Sequence, residues 1–579
     1  MPRSWHTVGV AGAVAVLGLT AVLTGGDGRK SLPAAARLSR TAEAGLPALG
    51  SPVFHTSSAG VQVAFAPSGV QFRLPGGELH LSLAGVGRLA PLVPSGNVTP
   101  VSARGVVSYR HGQVVDAYSS RPLGLEQRFT IDRRPPGSGA AVTIALRVAG
   151  SLSAHQVGQG VVFTRPGGTA SLLYGGVVVR DASGRQLPAS VSLHGGSITL
   201  GVDDAAARYP LSVDPVIEQA ASLVPTGAPA DRLSVDTTVH IGTVALSADG
   251  STAVLGDPGA GDGTGVVWVF VHAGSGWKQA MMLAPPDRLP MAGFGASVAV
   301  SGDGSAVLVG APRQNATYRP NGAVAGAAWV FSRSGSAWVQ QGPPLSLPAD
   351  DLSDGGFGAS VALSRDGSTA VIGGTGAWAF SRSGSSWAQQ GPELRGSGES
   401  ADPYGYFSVA LSADGSQALI GSPKENGLAG AAWLFARSGE GWVQQGPEIS
   451  PGVQGAEFGE SVGLSEDGST ALIGDTRGAW AFAYSGGSLV HQGPELTSPT
   501  PSVSGLGGVS LSGDGSTAMM SYGLQQWLFT RSGSSWAPQG ALLEDQPNRP
   551  GTSPAAGVGT LSADGSTALT GTGMIGAGS

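Results

Sequence analysis

The sequence predicts an all-β protein in two parts, an N-terminal β-sandwich-like domain over residues 51–216 and a β-propeller over residues 217–579. Three observations carry this. The phrase Ser-x-Asp-Gly-Ser-x-Ala recurs in six literal copies and a seventh that ends Ala306-Val307, with aspartates at Asp249, Asp303, Asp366, Asp414, Asp467, Asp514 and Asp564. A Trp-x-Phe pair follows six of the copies, from Trp268/Phe270 to Trp527/Phe529. Ahead of the repeats, short apolar/polar alternations are punctuated by Gly or Pro and show no helical period.

Composition bounds the alternatives. With 579 residues the chain exceeds one core, and with no cysteine it has neither disulfides nor thiolate chemistry. Charged residues are only 12%, while the 95 glycines and 39 prolines fall between apolar runs, a turn-rich β pattern rather than a disordered one. Residues 51–216 carry 13 basic and 8 acidic side chains, residues 217–579 carry 14 and 29. The acidic half has no basic stripe to follow a phosphate backbone, so nucleic acid is not an expected partner.

In chain order, residues 1–26 read as an export signal. Arg3 and His6 precede the uncharged stretch Val8–Leu23, which is short for a membrane span. Cleavage after Ala36 or Ala44 gives a secreted protein, and retention gives an N-terminal anchor, the one expected contact with a membrane. Residues 27–50 are Ala/Pro/Arg-rich and read as a flexible lead-in. From residue 51 the strands Val61–Phe65, Gln71–Leu74, Glu78–Leu83, Gln127–Ile131 and Ser197–Val202 alternate with period two.

The repeats follow at aspartate spacings of 54, 63, 48, 53, 47 and 50 residues. One copy splits into Ser360–Leu363, Thr369–Ile372, Ala377–Ser381 and Ser386–Gln389. Asp366-Gly367 supplies the first tight turn and Arg382-Ser-Gly384 the second. Four antiparallel strands per roughly 50 residues is the sequence form of a propeller blade. Residues two apart on a strand share a face, so each Trp-x-Phe pair is expected to pack between neighbouring blades.

The repeat resembles the FG-GAP family, found in integrin α-subunit propellers and many bacterial surface proteins. The matching residues are Phe294-Gly295 with Gly310-Ala311-Pro312, Phe357-Gly358 with Gly373-Gly374, and Phe458-Gly459 with Gly474-Asp475. A looser copy is Tyr404-Gly405 with Gly421-Ser422-Pro423. The resemblance implies a seven-bladed propeller, but no Trp-x-Phe strand follows Asp564, so the last blade is expected to be incomplete. Residues Ile217–Pro225 resemble the end of a repeat and are expected to supply its outer strand.

Family members that bind Ca²⁺ carry D-x-[DN]-x-D-G-x-x-D between the first two strands. Here that loop is cut to Ser-x-Asp-Gly-Ser, one carboxylate where calcium needs about six to eight oxygens, so the aspartate is expected to cap its own turn. Asp257/Asp262 and Asp350/Asp351/Asp354 are richer clusters but match no cage, and no metal or cofactor residue is assigned. Gly459-Glu-Ser461-Val-Gly463 fits a nucleophile elbow, but lacks the strand-to-helix turn that motif needs, so no catalytic residue is assigned. Asn97 and Asn315 open formal glycosylation sequons.

The expected function is non-enzymatic: a secreted or cell-surface monomer that binds a protein or glycan through propeller loops, first of all 313–321, 395–406 and 497–504. Two other classes stay open at this stage, a polysaccharide-directed hydrolase or lyase on the propeller and a structural spacer of the envelope.

Overall fold

The computed structural model describes residues 13–17 and 54–576, apart from 59–60, 75–76, 89–92, 95, 122–123, 138–140, 158–159, 166–169, 224–242, 274–275, 288, 315–324, 348–354, 399–404, 440, 499–505, 523–524, 543–551, 555–557, 566 and 572–573. Of the expected leader only the strand Ala13–Leu17 lies among them, and the lead-in 27–50 lies outside. No described helix is long and apolar enough to cross a membrane. The chain divides into two compact units, the main break in sequence falling between Ser222 and Leu223.

The N-terminal unit holds two antiparallel sheets. One runs, in spatial order, Ser153–Val157, Gly160–Thr164, Ala170–Arg180, Leu211–Leu223, Gly124–Ile131, Val114–Arg121, Val106–His111 and Val101–Ala103. The other runs Ala189–His194, Ser197–Val202, Val142–Gly150, Gly77–Gly87, Gly69–Leu74, Val61–Ala66 and Phe54–Ser58. Alternate residues point inward, as along Val61, Val63 and Phe65, because successive side chains on a strand face opposite sides. The inward residues of both sheets make one apolar cluster, with Phe65 against Tyr118 at 5.4 Å between ring centroids.

The expectation for Ile217–Pro225 is corrected here. Ile217 pairs with Leu125 and with Tyr174, and Gln219 with Leu172, all within the N-terminal unit. The alternation of Leu211, Val213 and Ile217 matches that unit's core, so Ile217–Gln219 extend its sheet rather than a blade, whereas Leu223 joins the cluster of Trp268 and Phe270, and residues 224–225 lie outside the described residues.

The second unit contains six antiparallel sheets built on four consecutive strands each, one per repeat, and a further hairpin Val558–Leu561/Thr567–Gly571 for the seventh copy. The third sheet, Ser360–Leu363, Thr369–Gly373, Ala377–Ser383 and Ser386–Gln389, follows the predicted division closely. Tight turns set the register. The phrase glycine has positive φ in every copy, from +65° at Gly565 to +69° at Gly250, a conformation free of steric cost only without a Cβ.

Apolar clusters lie between consecutive sheets, as predicted. Trp329 and Phe331 of the second repeat share a cluster with Val254, Val267 and Val269 of the first. Trp378 and Phe380 of the third share one with Leu308 and Val330 of the second. Leu569 of the seventh copy packs with Trp268 and Phe270 of the first. Backbone hydrogen bonds join the turns in the same order. The second phrase residue donates to its counterpart in the next repeat from Gly302 to Arg365, Arg365 to Ala413, Ala413 to Glu466 and Glu466 to Gly513, each 2.8 Å. Ala563 then donates to Ala248 at 2.9 Å, linking the last copy to the first.

The fourth repeat departs from the expected register. Tyr404 lies outside the described residues, and the aromatic in that core is Phe407, packed with Val371 and Trp433. Only one residue step separates Phe407 from the first strand Ser408–Leu411, so the entry loop is shorter than in the Phe-Gly copies.

Candidate binding face

A four-stranded meander has two ends. One carries the turns between first and second and between third and fourth strands. The other carries the loops from second to third strand and from each sheet to the next. Every phrase aspartate sits at the first end, and the variable loops sit at the second.

At the first end the carboxylates are committed to their turns. The Ser247 hydroxyl donates to Asp249 Oδ1 at 2.6 Å and accepts the Thr252 amide at 2.9 Å, while the Ser251 amide donates to Asp249 Oδ1 at 2.9 Å. The arrangement repeats at Ser301/Asp303, Ser364/Asp366, Ser412/Asp414, Ser465/Asp467 and Ser512/Asp514. Burial raises the carboxyls, but these donors outweigh it and hold Asp249, Asp303, Asp366, Asp414 and Asp467 below the ordinary aspartate range. The serine is the pivot, fully buried at Ser247, Ser301, Ser364 and Ser465. The sequence reading assigned capping to the aspartate and missed the serine, although its fixed place two residues earlier was a signal. Asp350, Asp351 and Asp354 lie outside the described residues, and Asp257 Oδ1 accepts the Gly259 amide at 3.2 Å. Among the described residues no three His, Asp or Glu side chains group as metal ligands.

Ser461, the serine of the elbow-like pentapeptide, begins the strand Ser461–Leu464, and its hydroxyl accepts the Val509 amide of the next repeat at 3.0 Å. His272 packs edge-on against Trp277, and His491 lies against Trp480 and Phe482, so both join the repeat aromatics.

The loop end differs in kind. Large apolar side chains stand exposed there at Met291 (58%), Tyr406 (55%), Leu428 (42%) and Val453 (40%). The backbone is left-handed at Asp262, Met291, Asn426, Leu428 and Glu457, with φ between +52° and +74°. Side chains rarely adopt that region, and such strain clusters where a surface has a task. The only other described non-glycine case is Arg104, in the N-terminal unit. The loops of the fourth and fifth repeats interlock. The Glu457 amide donates to Leu428 O, Gln454 Nε2 to Asn426 O, each 3.0 Å, and Lys424 Nζ pairs with Glu457 at 2.8 Å. Gly405, next to Tyr406, packs on the Lys424 stem. Burial and the charge of Glu457 raise the Glu460 carboxyl above its ordinary value despite Lys424.

Of the loops singled out from sequence, 315–321, 399–404 and 499–504 lie outside the described residues. Within the rest, Gln314 is buried and Tyr406 is exposed. Leu428 and Val453 were not foreseen as surface features.

Residues 277–331, the outer strand of the first sheet through the third strand of the second, match the FG-GAP repeat family. No curated protein matches the chain. Among solved structures the chain is similar to the β-propeller domain of Cps50 (Swd1) from Myceliophteria thermophila, at 10% identity over 60% of this chain and 99% of that one, TM-score 0.37. It is also similar to a hydrazine synthase from Kuenenia stuttgartiensis, at 12% identity over 58% and 94%, TM-score 0.39. A third is described as a putative 6-phosphogluconolactonase from Bacteroides uniformis, at 16% identity over 48% and 78%, TM-score 0.36. Residues 277–331 thus carry an FG-GAP repeat, and the sheets that follow repeat the same four-strand plan.

Proposed function

We propose that this is an exported, non-enzymatic binding protein whose seven-bladed propeller, preceded by a β-sandwich, recognises a protein or glycan on its loop face at the cell surface or outside the cell. The observation that carries the reading is the coincidence of exposed Met291, Leu428 and Val453 with the left-handed backbone on the same loops, with exposed Tyr406 on another loop of that end. Exposed apolar anchors beside a salt bridge suit recognition, since such anchors supply most interface energy and polar neighbours supply register. The hydrogen bond from Ala563 to Ala248 and the packing of Leu569 on Trp268 support seven blades closed without a complete last sheet.

The test is a glycan array and a cell-surface protein array probed with the labelled full chain. Its Tyr406→Ser/Leu428→Ser/Val453→Ser variant should lose the signal, whereas Val339→Ser/Val443→Ser, on the outermost strands, should keep it. Equal binding by both variants overturns the assignment of the loop face. Turnover of any polysaccharide on the array would overturn the non-enzymatic reading.

A further inference from the structure

The N-terminal unit contains a cavity of about 490 Å³ between its two sheets. Its floor is Leu83 and Val86 from the strand Gly77–Gly87 of one sheet, with Val114 and Ile131 from the other, all less than 9% exposed. The volume lies within the roughly 300–1,000 Å³ of small-molecule sites, which pair an apolar lining with a few polar groups that fix orientation.

The rim has the opposite character. Arg110 and Arg133 line it and are both exposed, and Arg110 has only a loose partner in Asp132, 4.0 Å away with both side chains largely in solvent. Such an exposed pair is worth little and leaves the guanidinium able to bind elsewhere. His111 also lines the cavity. It stacks on Tyr109 with ring centroids 6.2 Å apart, and burial lowers its pKa, so the two arginines carry the rim's positive charge at neutral pH. Two guanidinium groups against one carboxylate make this mouth cationic within a unit that is itself net basic.

We propose that this cavity binds a free amphipathic carboxylate, with its alkyl or alicyclic body against Leu83, Val86, Val114 and Ile131 and its anionic head at Arg110 and Arg133. The floor residues offer aliphatic surface and no aromatic face, which favours a saturated body over a planar ring. A guanidinium donates two parallel N–H bonds to a carboxylate, so the head is positioned as well as attracted. A neutral body of the same size would gain the apolar contact but not the head contact. This site is independent of the propeller's loop face, and its failure would leave that reading untouched.

The experiment is calorimetric titration of the full chain with decanoate, decanol and decyltrimethylammonium at low salt. Decanoate should bind saturably and at least about tenfold more tightly than the other two. Raising the salt should narrow the gap, because rim charges are screened. Arg110→Gln/Arg133→Gln should weaken decanoate about tenfold and leave decanol unchanged. Both side chains are exposed, so the fold should survive, with circular dichroism as the check. Hydrogen exchange on decanoate addition should slow within residues 106–131. Absence of saturable decanoate binding, equal affinity for all three head groups, undiminished binding by the double variant, or protection confined to residues 244–571 would each overturn the proposal.

Discussion

Gly310 of the second sheet lies against the carbonyl of Gly358 at the entry to the third, so closely that a Cβ on Gly310 would stand 2.0 Å from that oxygen. The same carbonyl accepts the Ser297 hydroxyl at 2.7 Å. The relationship recurs between Gly421 and Gly459, where Ser408 donates, and between Gly256 and Gly295, where Thr243 donates. The two glycine-bearing halves of the repeat motif are therefore one contact across a sheet boundary. Where the following repeat lacks the Phe-Gly pair the hydroxyl reverses its role, with Ser360 accepting the Val409 amide and Ser461 the Val509 amide.

Gly310→Ala should therefore destabilise the propeller by about 2–4 kcal/mol, since the new Cβ would clash with the packed Gly358 carbonyl and with the Ser297 hydroxyl bonded to it. Gly384→Ala is the control. It has φ +63° but nothing within 4 Å, and should cost about 1 kcal/mol from backbone strain alone. Calorimetric unfolding of the two variants checks the order, and a Gly384→Ala cost equal to that of Gly310→Ala would contradict the packing argument.

The phrase serine should matter more than its aspartate. Ser364→Ala strips the buried Thr369 amide of its acceptor, which costs about 1–3 kcal/mol. Asp366→Asn keeps an oxygen for the Ser368 amide and should cost less than 1 kcal/mol. Urea titration of each variant gives the comparison, and a larger loss for the aspartate variant would reverse the assignment of the pivot.

The two units should respond to pH differently. In the N-terminal unit burial lifts Asp116 to about 7, against the hydrogen bonds from Gln127 and Tyr118. Tyr174 completes this buried network through Gln127 Oε1 at 2.9 Å. A raised carboxyl means that the folded unit holds a proton the unfolded chain releases. Its contribution is fully present below about pH 4 and is lost as pH rises through about 7, by up to about 4 kcal/mol. The lowered turn aspartates contribute above about pH 4 and lose that contribution only as pH falls further. Between pH 4.5 and 7.5 the N-terminal transition should thus soften, and Asp116→Asn should flatten the slope. An unchanged slope in that variant would remove Asp116 as its source.

Much of the propeller was legible because each local signal agreed with the next. Asp-Gly turns, period-two alternation and Trp-x-Phe pairs all place the same strand ends, as the third repeat shows. The register at Phe407 was not, because Tyr404, Tyr406 and Phe407 crowd the entry to the strand, and only packing against Trp433 selects Phe407. Nor was the inward carboxylate of Asp116. Alternation along Val114, Asp116 and Tyr118 puts it inside, but only Gln127 and Tyr174, from other strands, make that position tolerable. The left-handed backbone at Leu428 has no local sequence signal at all, since leucine disfavours it and tertiary hydrogen bonds impose it.

That last feature yields the sharpest test of the loop face. Leu428 has φ +74°, and its carbonyl is held by the Glu457 amide at 3.0 Å, so the strain is enforced from the neighbouring loop. Leu428→Gly removes the steric conflict and leaves the hydrogen bond, which should keep or raise the propeller's melting temperature by the equivalent of up to about 1 kcal/mol. It also deletes an exposed apolar side chain from the proposed recognition surface, so ligand capture on the arrays should fall several-fold. Stability and binding moving in opposite directions would mark Leu428 as a residue kept in strain for recognition. A variant that loses stability and retains binding would place Leu428 in the fold's support instead.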